Sequence, residues 1–169
     1  DPNAEPPPYD DTNLPSYLHV DERIPSQKVL ERIVDTYDSW SSMIREDSTV
    51  HFVVVSDDTD EQDATTFHNA LLARDSTLDG YFFHGIFAFL GKDEACDISL
   101  NEPCCTYAAP GGEGVPYREL VQQTGGEMGD LCLQDFDSVF AAVATSVVAN
   151  AELSCNWVIP PPPAGEELD

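Results

Sequence analysis

Basic residues are scarce in this sequence. Its 169 residues include only 7 Lys and Arg against 32 Asp and Glu, a formal net charge of −25 at pH 7. A negative field of this size repels phosphate backbones and anionic lipid surfaces. The composition therefore argues against nucleic-acid binding and against docking on anionic membranes. It is typical of a soluble surface protein, and it attracts divalent cations.

Long hydrophobic runs are also missing. The longest apolar stretch, residues 81–90, is interrupted by His84 and Gly85, whereas a membrane helix needs about 20 apolar residues. Residues 1–15 hold five prolines, and four more follow one another at 160–163. We therefore expect no membrane insertion, a Pro-rich acidic arm over residues 1–15, a folded domain over 16–159 and a Pro-rich acidic tail over 160–169.

Recognisable catalytic motifs are absent as well. The sequence has neither the G-x-S-x-G nucleophile turn nor the G-x-x-x-x-G-K-[ST] phosphate loop. No acid–base pair or activated nucleophile can be named, so we predict that the chain is not an enzyme. The histidines His51, His68 and His84 could form a zinc site only if the fold joined them, and structural histidines are the commoner outcome.

The cysteines do not form the paired C-x-x-C motifs of a structural zinc site. Three of the five lie close together in a loop rich in Asp, Asn, Pro and Gly, where a disulfide would restrain the chain. The odd count leaves one cysteine unpaired or paired with another segment. Disulfides persist in oxidising compartments, so we predict an extracellular or cell-surface location, with the periplasm as an alternative. The disulfide candidates are Cys96, Cys104, Cys105, Cys132 and Cys155.

Helical and extended patterns alternate along the chain. Apolar residues at three-to-four spacing predict four helices, over residues 27–45, 61–74, 117–124 and 135–149. Continuous apolar or β-branched runs predict strands, over residues 16–20, 50–55, 81–89, 131–132 and 153–159. This order predicts an α/β fold with a doubly wound, mainly parallel sheet, helices on both faces and a disulfide-stapled loop. Gly125 and Gly126 predict a left-handed helix C-cap.

An acidic segment follows the most apolar strand directly. Ligand sites of open parallel sheets lie at the carboxyl ends of strands, and Ser56-Asp57-Asp58-Thr59-Asp60 occupies such an end. Carboxylate oxygens there would suit Mg²⁺ or Ca²⁺. The alternative is that Asp57, Asp58 or Asp60 caps the N-terminus of the following helix.

Three segments in order resemble von Willebrand factor type A domains, in particular secreted or lipoprotein-type bacterial members. Residues 51–58 resemble the family's central strand and its Asp. Ser26, after Ile24 and Pro25, is similar to the family's Ser or Thr before an amphipathic helix. Residues 117–126 resemble the family segment that ends in Thr-Gly-Gly. The resemblance covers most of residues 17–148 and implies an adhesion fold with Ser26, Asp57 and Asp58 as metal ligands.

One part of the family pattern has no counterpart. The Asp-x-Ser-x-Ser motif of the family's first strand should lie upstream of Ser16, but Asp10-Asp11-Thr12 has neither the serines nor a preceding apolar strand. We therefore expect the chain to be a C-terminal portion of a longer protein, with its first strand supplied by a missing N-terminal segment or lost. If that strand is lost, Ser26 and Asp57 are too few ligands to hold a cation tightly.

Together these observations predict an extracellular binding or adhesion module. It would engage a protein or cell-surface ligand, with Mg²⁺ or Ca²⁺ leaving one coordination position open for a ligand carboxylate. The alternative is a structural building block of an extracellular filament or surface assembly. Such a block would self-assemble through its arms and have no functional metal site.

Overall fold

The structure is a computed structural model that describes residues 16–88, 114–131 and 135–151. The predicted arm (1–15), tail (160–169) and last strand (153–159) lie outside these ranges. All five disulfide candidates also lie outside them, so the predicted disulfides stay predictions: Cys96, Cys104, Cys105, Cys132 and Cys155.

Three parallel strands and the helices between them form a mixed α/β fold, as the alternating pattern predicts. The strands pair in the order β1-β2-β3 and are β1 (His51–Val55), β2 (Phe82–Phe87) and β3 (Met128–Asp130). The helices are α1 (Val29–Asp35), α2 (Tyr37–Trp40), α3 (Ala64–Arg74), α4 (Val115–Thr124) and α5 (Phe136–Asn150), with 3₁₀ turns at Ser41–Met43 and Ser76–Leu78. Within the described residues, no helix is long and apolar enough to cross a membrane.

The predicted helix over residues 27–45 is broken in two. The Thr36 hydroxyl donates to the carbonyl of Arg32 at 2.7 Å, and the Trp40 indole N–H donates to the carbonyl of Ile33 at 3.0 Å. These side chains satisfy carbonyls of the last turn of α1, so the chain can change direction without leaving them unpaired. The short α2 and a 3₁₀ turn follow.

Aromatic rings fill the core on one side of the sheet. Phe67 of α3 is fully buried and meets Phe52, Tyr81 and Phe83 edge to face at centroid distances of 6.3, 6.2 and 5.9 Å. Tyr117 of α4 stacks on Phe83 at 6.3 Å. These contacts fix α3 and α4 against β1 and β2, and so fix the position at which β1 ends.

The Thr-Gly-Gly segment, residues 124–126, follows α4 along the chain and packs against β2. Gly125 ends α4 with φ +70°, which confirms the left-handed cap. The Phe83 N–H donates to the Thr124 hydroxyl at 2.9 Å, and a Cβ at Gly126 would collide with the carbonyl of Phe83. The two glycines therefore meet different needs, a positive φ and a close backbone approach.

Candidate binding site

The carboxyl end of β1 turns sharply at Ser56. The Ser56 N–H donates to the carbonyl of Ile86 at 3.0 Å and is the last ladder bond between the two strands. The Ser56 hydroxyl then donates to the carbonyl of Asp58 at 3.0 Å and accepts from the Asp58 N–H at 3.2 Å. This closed turn places Asp57 and Asp58 at the edge of the sheet where ligand sites of parallel folds occur.

Two of the three predicted ligands meet there. The Ser26 hydroxyl, on the segment before α1, donates to Oδ2 of Asp58 at 3.0 Å. Oδ1 of Asp58 accepts from the Thr59 N–H at 2.9 Å. Asp57, the third, is exposed and lines a groove together with Ser26.

The donors at this site are hydroxyl and carboxylate oxygens, the type that Mg²⁺ and Ca²⁺ prefer. Each oxygen of Asp58 accepts one hydrogen bond, and each keeps a further lone pair that a cation could use. Among the described residues, no three His, Cys, Asp or Glu side chains lie close enough to hold a metal ion. The site therefore suits a cation in donor type, but residues 16–88, 114–131 and 135–151 supply a partial ligand set.

The helix-cap alternative is wrong for Asp57, Asp58 and Asp60. Helix α3 begins at Ala64, and its N-cap is Asp63, whose Oδ1 accepts from the Thr66 N–H at 2.8 Å. The three residues between Asp60 and Ala64 put the earlier carboxylates out of reach of the first turn.

Asp60 has a structural role that the sequence did not indicate. It is buried, and its Oδ2 accepts from the Leu30 N–H of α1 at 3.0 Å and from the Tyr117 hydroxyl of α4 at 3.2 Å. Burial raises the pKa of the Tyr117 phenol, and the Asp60 carboxylate adds to the increase. Asp60 therefore joins α1 and α4 behind the site. Nothing in the acidic run distinguishes it from its neighbours.

The histidines do not form a zinc site. His51 Nδ1 and His84 Nε2 are 3.0 Å apart, whereas His68 lies against the Tyr81 hydroxyl at 3.4 Å. The Glu127 N–H donates to His84 Nδ1 at 2.9 Å. A neutral imidazole that accepts at Nδ1 carries its proton at Nε2, so His84 has no lone pair left for a metal.

A second feature of the region is the free edge of β1. Within the described residues β1 pairs with β2 alone, and Val53 and Val55 are 45% and 57% exposed. Two grooves, of about 460 and 610 Å³, follow β1 along its length, and Ile24 and Ile33 line both. Ser26 and Asp57, two of the candidate ligand residues, line the second of these grooves together with Val53 and Val55.

Comparison with known proteins finds no match. No family model, curated protein or solved structure is similar to the chain. The resemblance to type A domains therefore rests on the three quoted segments and stays a prediction.

Proposed function

We propose that the chain is a binding or adhesion module rather than an enzyme, and that its ligand docks at the carboxyl end of β1. The observation that carries the proposal is the 3.0 Å contact between Ser26 Oγ and Asp58 Oδ2. It joins two residues 32 positions apart at the strand end that parallel folds use for ligands. Asp57 beside them offers an exposed carboxylate.

A divalent cation, Mg²⁺ or Ca²⁺, is part of this proposal. Asp57 and Asp58 would supply charge and Ser26 a neutral oxygen, and a carboxylate on a protein or cell-surface ligand would complete the coordination. When bound, the cation would bridge two acidic surfaces that otherwise repel. This bridging matters for a chain with a net charge of −25.

Calorimetric titration with Mg²⁺ and Ca²⁺ tests the proposal. At about physiological ionic strength, where diffuse counterion binding is screened, we expect one saturable site in the 169-residue chain. Asp57→Asn and Asp58→Asn should abolish it. Asp79→Asn, which removes an exposed carboxylate at the end of the 3₁₀ turn Ser76–Leu78, should keep it. Absence of a saturable site in the unmodified chain would contradict the cation part of the proposal.

A second candidate function is a structural building block of an extracellular filament or surface assembly without a functional metal site. The observation in its favour is that both oxygens of Asp58 are already hydrogen-bonded, to Ser26 and Thr59. The cluster is therefore satisfied without a cation and would hold the segment before α1 to the end of β1. On this reading Ser26→Ala lowers stability, and no variant at the site changes ion binding.

The edge of β1 that has no partner strand within the described residues supports an added strand as partner. The Phe82 N–H bonds to the Val50 carbonyl, and the Ser56 N–H bonds to the Ile86 carbonyl. In a parallel ladder, alternate residues of a strand bond to the same neighbouring strand. The backbone N–H and C=O groups of Phe52 and Val54 therefore point to β2, and those of Val53 and Val55 point to the opposite edge. We propose that this edge takes a strand from a missing N-terminal segment or, in self-assembly, from a second copy.

Amide hydrogen exchange separates these partners. In the dilute 169-residue chain, the amides of Val53 and Val55 should exchange quickly while those of Phe52 and Val54 are protected. Protection that grows with protein concentration identifies a second copy, and protection that appears only in an N-terminally longer chain identifies that segment. Strong protection of Val53 and Val55 in the dilute chain would contradict both.

Two further parts of the proposal concern fold and location. We propose a doubly wound sheet with helices on both faces. Its support is Gly129 of β3, which leaves no room for a Cβ beside Val139 of α5, whereas Phe83 of β2 contacts α3 and α4 through Phe67 and Tyr117. We also propose an extracellular, cell-surface or periplasmic location, supported by the acidic composition and the clustered cysteines.

A further inference from the structure

We propose that His51 and His84 form a pH-sensitive link that holds the three strands together above about pH 6.5 and loosens on acidification. The link is a chain of two hydrogen bonds: the Glu127 N–H donates to His84 Nδ1 at 2.9 Å, and His84 Nε2–H donates to His51 Nδ1 across 3.0 Å. His51 opens β1, His84 lies within β2, and Glu127 immediately precedes β3. The two bonds therefore link all three strands of the described residues.

The Glu127 N–H determines which atom donates in each of the two bonds. A backbone N–H can only donate, so His84 Nδ1 must accept and His84 Nε2 must carry the proton. That proton leaves His51 Nδ1 as the acceptor. Glu127 cannot shift to relieve the arrangement, because its carbonyl accepts from the Gly85 N–H at 3.0 Å. Only this protonation state pairs a donor with an acceptor in both bonds.

A proton taken from solvent breaks this chain wherever it binds. At His51 Nδ1 it would face the Nε2–H of His84, donor against donor. At His84 Nδ1 it would face the Glu127 N–H in the same way. His84 is fully buried, so a donor that loses its acceptor there has no water to replace it, and the loss is costly.

Charged side chains also lie near the pair. Glu22, Arg32 and Arg45 line the same groove as His51, and the Glu127 carboxylate favours the charged form of His84.

The His51 ring lies nearly parallel to the Phe82 ring at a centroid distance of 4.9 Å and nearly coplanar with the His84 ring at 5.3 Å. Helix α5 brings Asn150, an uncharged residue, to within 3.2 Å of Thr49. Its acid Asp137 lies in the first turn, at the opposite end of the helix.

The pKa values shift in the direction that this geometry requires. Burial lowers the pKa of His51. Burial, and then the charge of His51, lowers the pKa of His84, against an opposing effect of Glu127. When a folded-state pKa lies below the unfolded value of about 6.5, the unfolded chain binds more protons as pH falls. Stability is then complete above about pH 6.5 and is lost as the pH falls toward the lowered pKa values.

Imidazole NMR on the full chain tests the link directly. At pH 7.5 we expect His84 in the Nε2–H form with an unprotonated Nδ1, and both members of the pair titrating below the ordinary imidazole pKa of about 6.5. The protection factor of the Glu127 amide should fall over the same range. A proton at His84 Nδ1 at pH 7.5, or normal titration of both rings, would overturn the proposal.

Denaturant unfolding at pH 7.5 and 5.0 supplies the second measurement. Each unit by which a folded pKa is lowered corresponds to about a tenfold fall in the folding constant at acid pH. His51→Gln keeps an acceptor for His84 Nε2–H without titrating, so it should lose less stability between these pH values than the unmodified chain. The control His68→Gln should lose as much as the unmodified chain. Equal losses in all three would contradict the link, and if His51→Gln fails to fold, the NMR titration decides.

Discussion

Strands β1 and β2 are both mainly apolar, and each contains one histidine, but their surroundings differ. From Phe83 to Phe87 every residue of β2 is buried, whereas β1 alternates, with Val54 only 6% exposed beside Val53 and Val55 on the open side. β2 has a strand on either side, and β1 has β2 alone within the described residues. An apolar run thus predicts a strand, but its neighbours decide whether the strand is a centre or an edge.

The largest expected effect is a truncation in the centre of β2. Phe83 is fully buried against Phe67 and Tyr117, so Phe83→Ala should lower the free energy of unfolding by about 3–5 kcal/mol. Urea unfolding followed by fluorescence measures it. The matched variant Val53→Ala, on the open side of β1, should cost a small fraction of that value. Similar costs at both positions would show that this face of β1 is covered in solution.

The contact between β2 and the Thr-Gly-Gly segment comes next. Gly126→Ala should destabilise by about 1–3 kcal/mol, because the added methyl collides with the carbonyl of Phe83 and the backbone must move. Gly80→Ala is the control for a glycine with positive φ, since nothing lies within 4 Å of its Cβ position and only conformational strain is added. If the two variants cost the same, close approach is not what requires glycine at position 126.

The two faces of β1 should differ in how much a truncation to Ala lowers the free energy of unfolding. Val54→Ala removes two buried methyl groups and should cost about 1.5 kcal/mol, on the basis of roughly 0.8 kcal/mol per buried carbon. Thermal or urea unfolding of Val54→Ala beside Val55→Ala provides the measurement. A smaller effect at Val54 than at Val55 would reverse the assignment of the buried face.

The smallest effect on stability is expected from a charge at the edge. Val55→Lys should change the free energy of unfolding by no more than about 0.5 kcal/mol. It should nevertheless reduce any concentration-dependent association in sedimentation, because charged side chains protect edge strands. Unchanged association in Val55→Lys would place the contact between copies elsewhere.

The elements that the sequence predicts well are those with purely local causes. The apolar run before Ser56 and the Gly125 cap depend on residues next to one another, and both are present. The predicted helix over residues 27–45 is interrupted at Thr36, where the Thr36 and Trp40 side chains bond to carbonyls of α1. Helical periodicity does not reveal such an interruption.

The candidate site also has one feature that the sequence predicts and one that it does not. Proximity of Ser26 to Asp58 was expected from the type A resemblance, and the structure places them 3.0 Å apart. The role of Asp60 depends on Leu30 of α1 and Tyr117 of α4, which reach it only through the packing of these two helices. A residue whose partners lie so far along the chain has no local signature.

Asp60 also has a consequence for the order in which the molecule folds. Its two long-range partners lie 30 and 57 residues away in sequence, so both loops must close before the carboxylate is satisfied. We expect these bonds to form after the folding transition state. Asp60→Ala should then accelerate unfolding while leaving the refolding rate nearly unchanged. Stopped-flow measurement of both rates tests this expectation. That result would mean that the bonds of Asp60 set the lifetime of the folded chain.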